Sequence, residues 1–246
     1  MKLNKLLVLF GLLLCCSGLS AQTRIAREVH IGAIGGACMS NYAYNPTVSQ
    51  NLAPGYTFGI AARYIEEKLF GLQTEFLLTR RGEKDRFDDN PELKFQRNFT
   101  YLEVPVLAHI YFELGEKSEI ALDLGPKFGY FLSDNSVAEL DSETWHKVQN
   151  STFHKYQHHD LPVEKKFDYG IQAGLGYEFK LTKEMSMQLQ GRYYFGLGNM
   201  FPDSKGDAYE TSNNHHIQIV ASFWFRSQIA KYKLNRKIKQ YSKKTK

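Results

Sequence analysis

The stretch Phe167-Asp168-Tyr169-Gly170-Ile171-Gln172-Ala173-Gly174-Leu175-Gly176-Tyr177-Glu178-Phe179 alternates without a break. Phe167, Tyr169, Ile171, Ala173, Leu175, Tyr177 and Phe179 fall on one side, with Asp168, Gly170, Gln172, Gly174, Gly176 and Glu178 on the other. A period of two belongs to an extended strand whose two faces meet different surroundings. Strands of globular proteins run about 5–6 residues, so this one is more than twice the usual length.

The same pattern returns on either side of it. Met185, Met187, Leu189, Tyr193 and Phe195 oppose Ser186, Gln188, Gln190, Arg192 and Tyr194, and Ile120, Leu122, Leu124, Phe128 and Tyr130 oppose Ala121, Asp123, Gly125, Lys127 and Gly129. Further strands are predicted over residues 29–39, 56–66, 69–80, 99–112 and 216–225, which makes eight in all. Short turns at 67–68, 113–117 and 182–184 alternate with long polar loops at 40–55, 81–98, 131–166 and 196–215. An even count of long strands, with tight turns at one end and long loops at the other, predicts an all-β fold. It is an eight-stranded antiparallel up-and-down transmembrane β-barrel with long outer loops and short periplasmic turns.

A soluble ligand-binding barrel shows the same alternation with its faces inverted. The composition of the faces separates the two. The polar face mixes glycines with Arg63, Glu75, Glu103, Asp123, Lys127, Asp168, Glu178 and Arg192, a set that neutralises itself inside a crowded lumen. The apolar face carries aromatics near strand ends, among them Tyr56, Tyr64, Phe70, Phe112, Tyr130, Phe167, Phe179, Phe195 and Phe225, as membrane girdles require. On this reading Leu189→Arg should cost about 2–4 kcal/mol near the midplane, and Gln188→Arg less.

Lys2 and Lys5, the apolar run Leu6 to Leu14 and the small residues ending at Ala21 form a secretory leader, so residues 1–21 are expected to be cleaved. The barrel then occupies 22–225, and 226–246 is a basic C-terminal tail. Of three cysteines, Cys15 and Cys16 leave with the leader and Cys38 has no partner. The chain of 246 residues carries a net charge of +5. Nine basic residues and no acid lie in the tail: Arg226, Lys231, Lys233, Arg236, Lys237, Lys239, Lys243, Lys244 and Lys246. With Lys2 and Lys5 also set aside, residues 22–225 hold 20 basic against 26 acidic groups. A uniformly basic nucleic-acid binder is thereby a poor reading. The tail is expected in the periplasm, either solvated or tethered to anionic lipid or an acidic partner.

Tyr101-Leu102-Glu103-Val104-Pro105-Val106-Leu107-Ala108-His109-Ile110-Tyr111-Phe112, the segment from Asp168 to Glu178, and Arg192-Tyr193-Tyr194-Phe195-Gly196-Leu197-Gly198-Asn199 resemble the porin-family outer-membrane β-barrel group that includes PorT-like proteins. The likeness covers about residues 27–225. It implies the barrel fold, the outer membrane of a Gram-negative-type envelope, and a link to protein secretion.

Eight strands leave a lumen just wide enough for side chains, so the interior set above is expected to form a salt-bridged plug. The rival is a narrow gated channel for small solutes. Six of eight histidines fall in predicted loops: His146, His154, His158, His159, His215 and His216. His154, His158, His159 and Asp160 are candidate ligands for zinc or copper, although their spacing matches no closed motif. Asp207, Ser212 and His216 lie close in sequence, which leaves a rim-sited lipid-modifying enzyme as a second alternative. No phosphate loop, nucleophile elbow or paired-cysteine signature is present. The expectation is a non-enzymatic monomer without cofactor, a structural, surface-binding or secretion-assisting envelope component. Its partners would be outer-membrane lipid and a periplasmic or secretion-machinery protein.

Overall fold

The computed structural model describes residues 28–67, 69–87, 94–139, 159, 161–201 and 209–228. The leader, most of the tail, and His146, His154, His158, Asp160 and Asp207 lie outside them.

The described chain is a closed antiparallel ring. Its strands are β1 (Glu28–Asn45), β2 (Gln50–Asn51), β3 (Ala53–Glu67), β4 (Phe70–Asp85), β5 (Lys94–Glu113), β6 (Ser118–Glu139), β7 (Phe167–Lys180), β8 (Met185–Asn199) and β9 (Thr211–Gln228). β1, β3, β4, β5, β6, β7, β8 and β9 each pair with the next, and β9 pairs back onto β1 from Glu28↔Gln228 to Asn45↔Thr211. The two-residue β2 adds to β4 beyond the end of β3, separated from β3 only by Leu52. The ring therefore has eight staves.

Burial follows the pleat. On β8 every second residue from Ser186 to Gly198 is buried, while Met187, Leu189, Tyr193, Phe195 and Leu197 are exposed. Polar residues are inside and apolar ones outside, the inverse of a soluble protein, because the solvent on the outside is lipid. Leu189 is 60% exposed and Ile60 is 63% exposed, whereas Arg63 is 1% exposed. The outward face of β7 runs from Phe167 to Phe179. At ~3.3 Å per residue and a tilt near 40°, that run spans roughly 30 Å, the thickness of a bilayer's hydrocarbon core.

The strands outrun the predicted ones at the long-loop end. Residues 40–45, 81–85, 94–98, 131–139, 196–199 and 211–215, read as loop, are strand. His215, assigned to a loop, and His216, counted with the loop histidines but also opening the predicted 216–225 strand, both stand in β9. These extensions project past the girdles, where the outer face no longer meets lipid and no apolar outer face marks a strand, although inward residues such as Tyr42, Tyr44, Arg81 and Glu83 stay buried. At the other end, β9 continues to Gln228, and Arg226 donates its backbone N–H to the Glu184 carbonyl at 2.8 Å. Arg226 thus belongs to the wall and not to the tail.

Candidate functional site

The inward faces build a stack of ionic clusters along the lumen. Toward the short-turn end, Arg63 on β3 is a hub. Its Nη1 donates to Glu178 Oε2 at 2.7 Å, its Nε to Gln73 Oε1 at 2.8 Å, and its Nη2 to Gln188 Oε1 at 2.9 Å. The guanidinium lies 4.2 Å from the Trp224 ring centroid, and Ser186 donates to the second Glu178 oxygen at 2.5 Å. β3, β4, β7, β8 and β9 are thus tied at one level.

Next along the axis, Arg192 grips Glu75 with two parallel bonds of 2.7 and 2.8 Å. The fork matches a carboxylate in plane, which makes this among the strongest polar contacts available. Arg192 Nε also donates to Gln190 Oε1 at 2.6 Å, Gln190 Nε2 donates to Asp123 Oδ2 at 2.6 Å, and Asp123 Oδ1 lies 2.6 Å from His109 Nδ1.

Toward the long-loop end, Arg81 and Lys127 share Glu103, and Arg81 holds Asp168 as well. Lys127 Nζ is 2.5 Å from Glu103 Oε2 and 3.0 Å from His216 Nε2. Arg81 pairs with Asp168, lies 3.5 Å from Glu103 Oε1, and donates to Asn214 Oδ1 at 2.7 Å. Its guanidinium lies 3.9 Å from the Tyr101 ring centroid, while the Tyr194 hydroxyl donates to Asp168 at 3.1 Å. A charge taken out of water persists only when paired and hydrogen-bonded, and these cations meet that condition through partners on other strands.

Above the ions sits an aromatic cap. Tyr42, Tyr44, Val48, Phe99, Tyr101, Met200, Phe201 and Tyr209 pack together, with Phe131, Leu161 and Val163 against them. Tyr44 donates to Glu83, and Arg97 holds Asp134 at 2.5 Å and the Leu161 carbonyl at 2.8 Å. Below the cap a cavity of about 10 Å³ is lined in part by Tyr42, Asp168 and Asn214, room for about one water. Near the short-turn end a second apolar group, Ile34, Ala61, Leu77, Val220 and Trp224, fills the lumen between the charges.

All eight residues singled out for the interior face inward: Arg63, Glu75, Glu103, Asp123, Lys127, Asp168, Glu178 and Arg192. They form three clusters, not one. Arg81, which bridges Glu103 and Asp168, was missed, as were Glu83 and Arg97, because all three fell in the predicted 81–98 loop. Continued alternation past Arg80, with Arg81, Glu83 and Asp85 on the face of Glu75, was the signal that could have found them.

Of the metal candidates only His159 is described. It lies 2.5 Å from Asp85 and stacks on Phe95 at 3.5 Å between ring centroids. Among the described residues no three potential ligands cluster. Ser212 and His216 share the inward face of β9 but engage different groups. Ser212 Oγ accepts the backbone N–H of Met200 and of Phe201, each at 2.9 Å, while His216 faces Lys127 and Asn214.

The sequence matches the outer membrane protein beta-barrel domain over residues 20–202. The chain belongs to that family. This family of barrels places it in the outer membrane. Its fold is similar to Ail, the attachment invasion locus protein of Yersinia pestis, with 16% identity and a TM-score of 0.41 over 82% of this chain and 100% of that one. It is similar also to Neisserial surface protein A, at 13% identity and TM-score 0.43, covering 82% and 97%. OprG from Pseudomonas aeruginosa gives 10% and 0.44, covering 82% and 96%. A comparison with curated proteins finds no match.

Proposed function

We propose that this outer-membrane barrel is a closed, non-enzymatic envelope component that works through its long-loop end, as a structural or surface-binding element, and as a monomer. Cleavage after Ala21 and a periplasmic location for both termini complete the reading. The observation that carries it is the filled lumen. Three ionic clusters bridge the wall strands, an aromatic cap covers them, and the cavity beneath the cap admits about one water. A gated conduit would have to break several buried charge pairs at once, each leaving an uncompensated ion behind.

Purified chain reconstituted in planar bilayers should give no discrete current steps, and a strain lacking it should keep its lipid composition by mass spectrometry. Stable single-channel currents would replace this reading with a narrow transporter. Altered lipid acylation would replace it with a rim enzyme. The basic tail favours a finer role, a secretion-assisting contact of the PorT type with an acidic periplasmic partner.

A further inference from the structure

Arg80 stands apart from the other arginines of the wall. Arg63, Arg81, Arg97, Arg192 and Arg226 each face a carboxylate. Among the described residues Arg80 faces none, and neither does Lys84, the second outward residue after it on β4. Both point away from the lumen at the long-loop end.

The level of Arg80 follows from the register. Leu78, two residues earlier, pairs with Phe58 and Leu102, and Leu102 pairs with Tyr130, all on the lipid-facing band. Arg80 itself pairs with Tyr56 on one side and Thr100 on the other. It therefore sits at the rim of the band, beside a girdle tyrosine, where headgroups begin.

A recess of about 250 Å³ opens in the outer wall there, lined by Pro54, Gly55, Tyr56, Arg80, Gln96 and Asn98. Gln96 Nε2 donates to Asn98 Oδ1 at 2.9 Å, which orients the Asn98 amide. Gly82 lies between Arg80 and Lys84 on the same face. A Cβ there would come within 2.2 Å of the Arg97 carbonyl oxygen and 3.1 Å of Asn98 Oδ1, so the wall at that position stays bare.

We propose that this recess binds the phosphorylated headgroup of a lipid in the leaflet at the long-loop end. Arg80 is the phosphate ligand, Lys84 a second cation, and Phe58, Leu78 and Leu102 the bed for its acyl chains. A guanidinium offers paired N–H donors in the geometry of phosphate oxygens, and phosphate is the anion that membranes place at this depth. The inference rests on the membrane placement of the proposed function, but not on a closed lumen or a working loop surface.

The test uses the full chain in phosphatidylcholine nanodiscs doped with bisphosphorylated lipid A or with its dephosphorylated form, read as lipid retained in native mass spectrometry. The phosphorylated lipid should be retained preferentially. R80Q/K84Q should reduce that retention by about thirtyfold, given the contribution of each basic residue near a membrane surface. K117Q, in a short turn, should leave it unchanged. Among the described residues neither altered residue has a carboxylate partner, and both are outward, so the variant should keep its heat-modifiable mobility. Equal retention of the two lipids, or unchanged retention in R80Q/K84Q, would overturn the proposal. Displacement of the lipid by inorganic phosphate would assign the recess to a free anion and overturn the lipid source. Conductance, which tests the closed barrel, is a separate readout.

Discussion

Leu189 and Gln188 are neighbours on β8 that face opposite media. Leu189 is 60% exposed on the lipid side, and an arginine there near the midplane should cost about 2–4 kcal/mol. Gln188 accepts from Arg63 Nη2 at 2.9 Å and from Trp224 Nε1 at 3.3 Å. Arginine in its place would set a second cation against Arg63 in a lumen with no room, at about 3–5 kcal/mol. The sequence-based ranking is thereby reversed, and Gln188→Arg should be the worse variant. Urea unfolding from lipid vesicles measures both, and a milder Gln188→Arg would mean a lumen with water to spare. Which face each residue takes was legible from alternation alone. Which carboxylate meets which cation was not, because partners such as Arg192 and Glu75 are 117 positions apart and meet only across the closed ring.

At the scale of the strand, the curvature of a narrow barrel falls on particular glycines. Gly59 on β3 shows the reason: a Cβ would lie 1.9 Å from the Phe76 carbonyl oxygen on β4. Gly59→Ala should force the two strands apart, at a cost of about 1–3 kcal/mol, as for other overpacked sites. Gly191 has nothing within 4 Å of its built Cβ, and Gly191→Ala should change stability by less than about 1 kcal/mol. Equal effects in the same urea titration would remove close strand approach as the explanation. The membrane-crossing part of each strand was readable because lipid demands an apolar face. Where β4 passes Arg80 and β6 passes Phe131 that demand ends, and Gly82, Lys84, Ser133 and Asp134 resemble loop in composition while remaining paired.

For the whole molecule, the end of β9 sets where the barrel stops needing chain. A protein truncated after Gln228 should insert and keep its heat-modifiable barrel, but lose salt-sensitive crosslinks to anionic lipid or an acidic periplasmic partner. Failure to insert would make the tail an assembly element, and unchanged crosslinking would reject the tether. The family and the compartment were within reach of the sequence, since strand count and the alternation of polar and apolar faces are local patterns. What binds the exposed end was not, because no motif there encodes a partner. Closure of the ring also governs time. Every rung between β1 and β9 joins residues from Asn45 and Thr211 to Glu28 and Gln228, nearly the full length of the barrel. The entropic penalty of meeting grows only slowly with such a separation, but contacts this distant form late and slowly. Until β9 pairs with β1, the protein is an open ribbon with a bare edge on β1 and another on β9, each a template for pairing with a foreign strand. Its most vulnerable interval is therefore the one between export and closure, and whatever escorts it through the periplasm must shield those two edges.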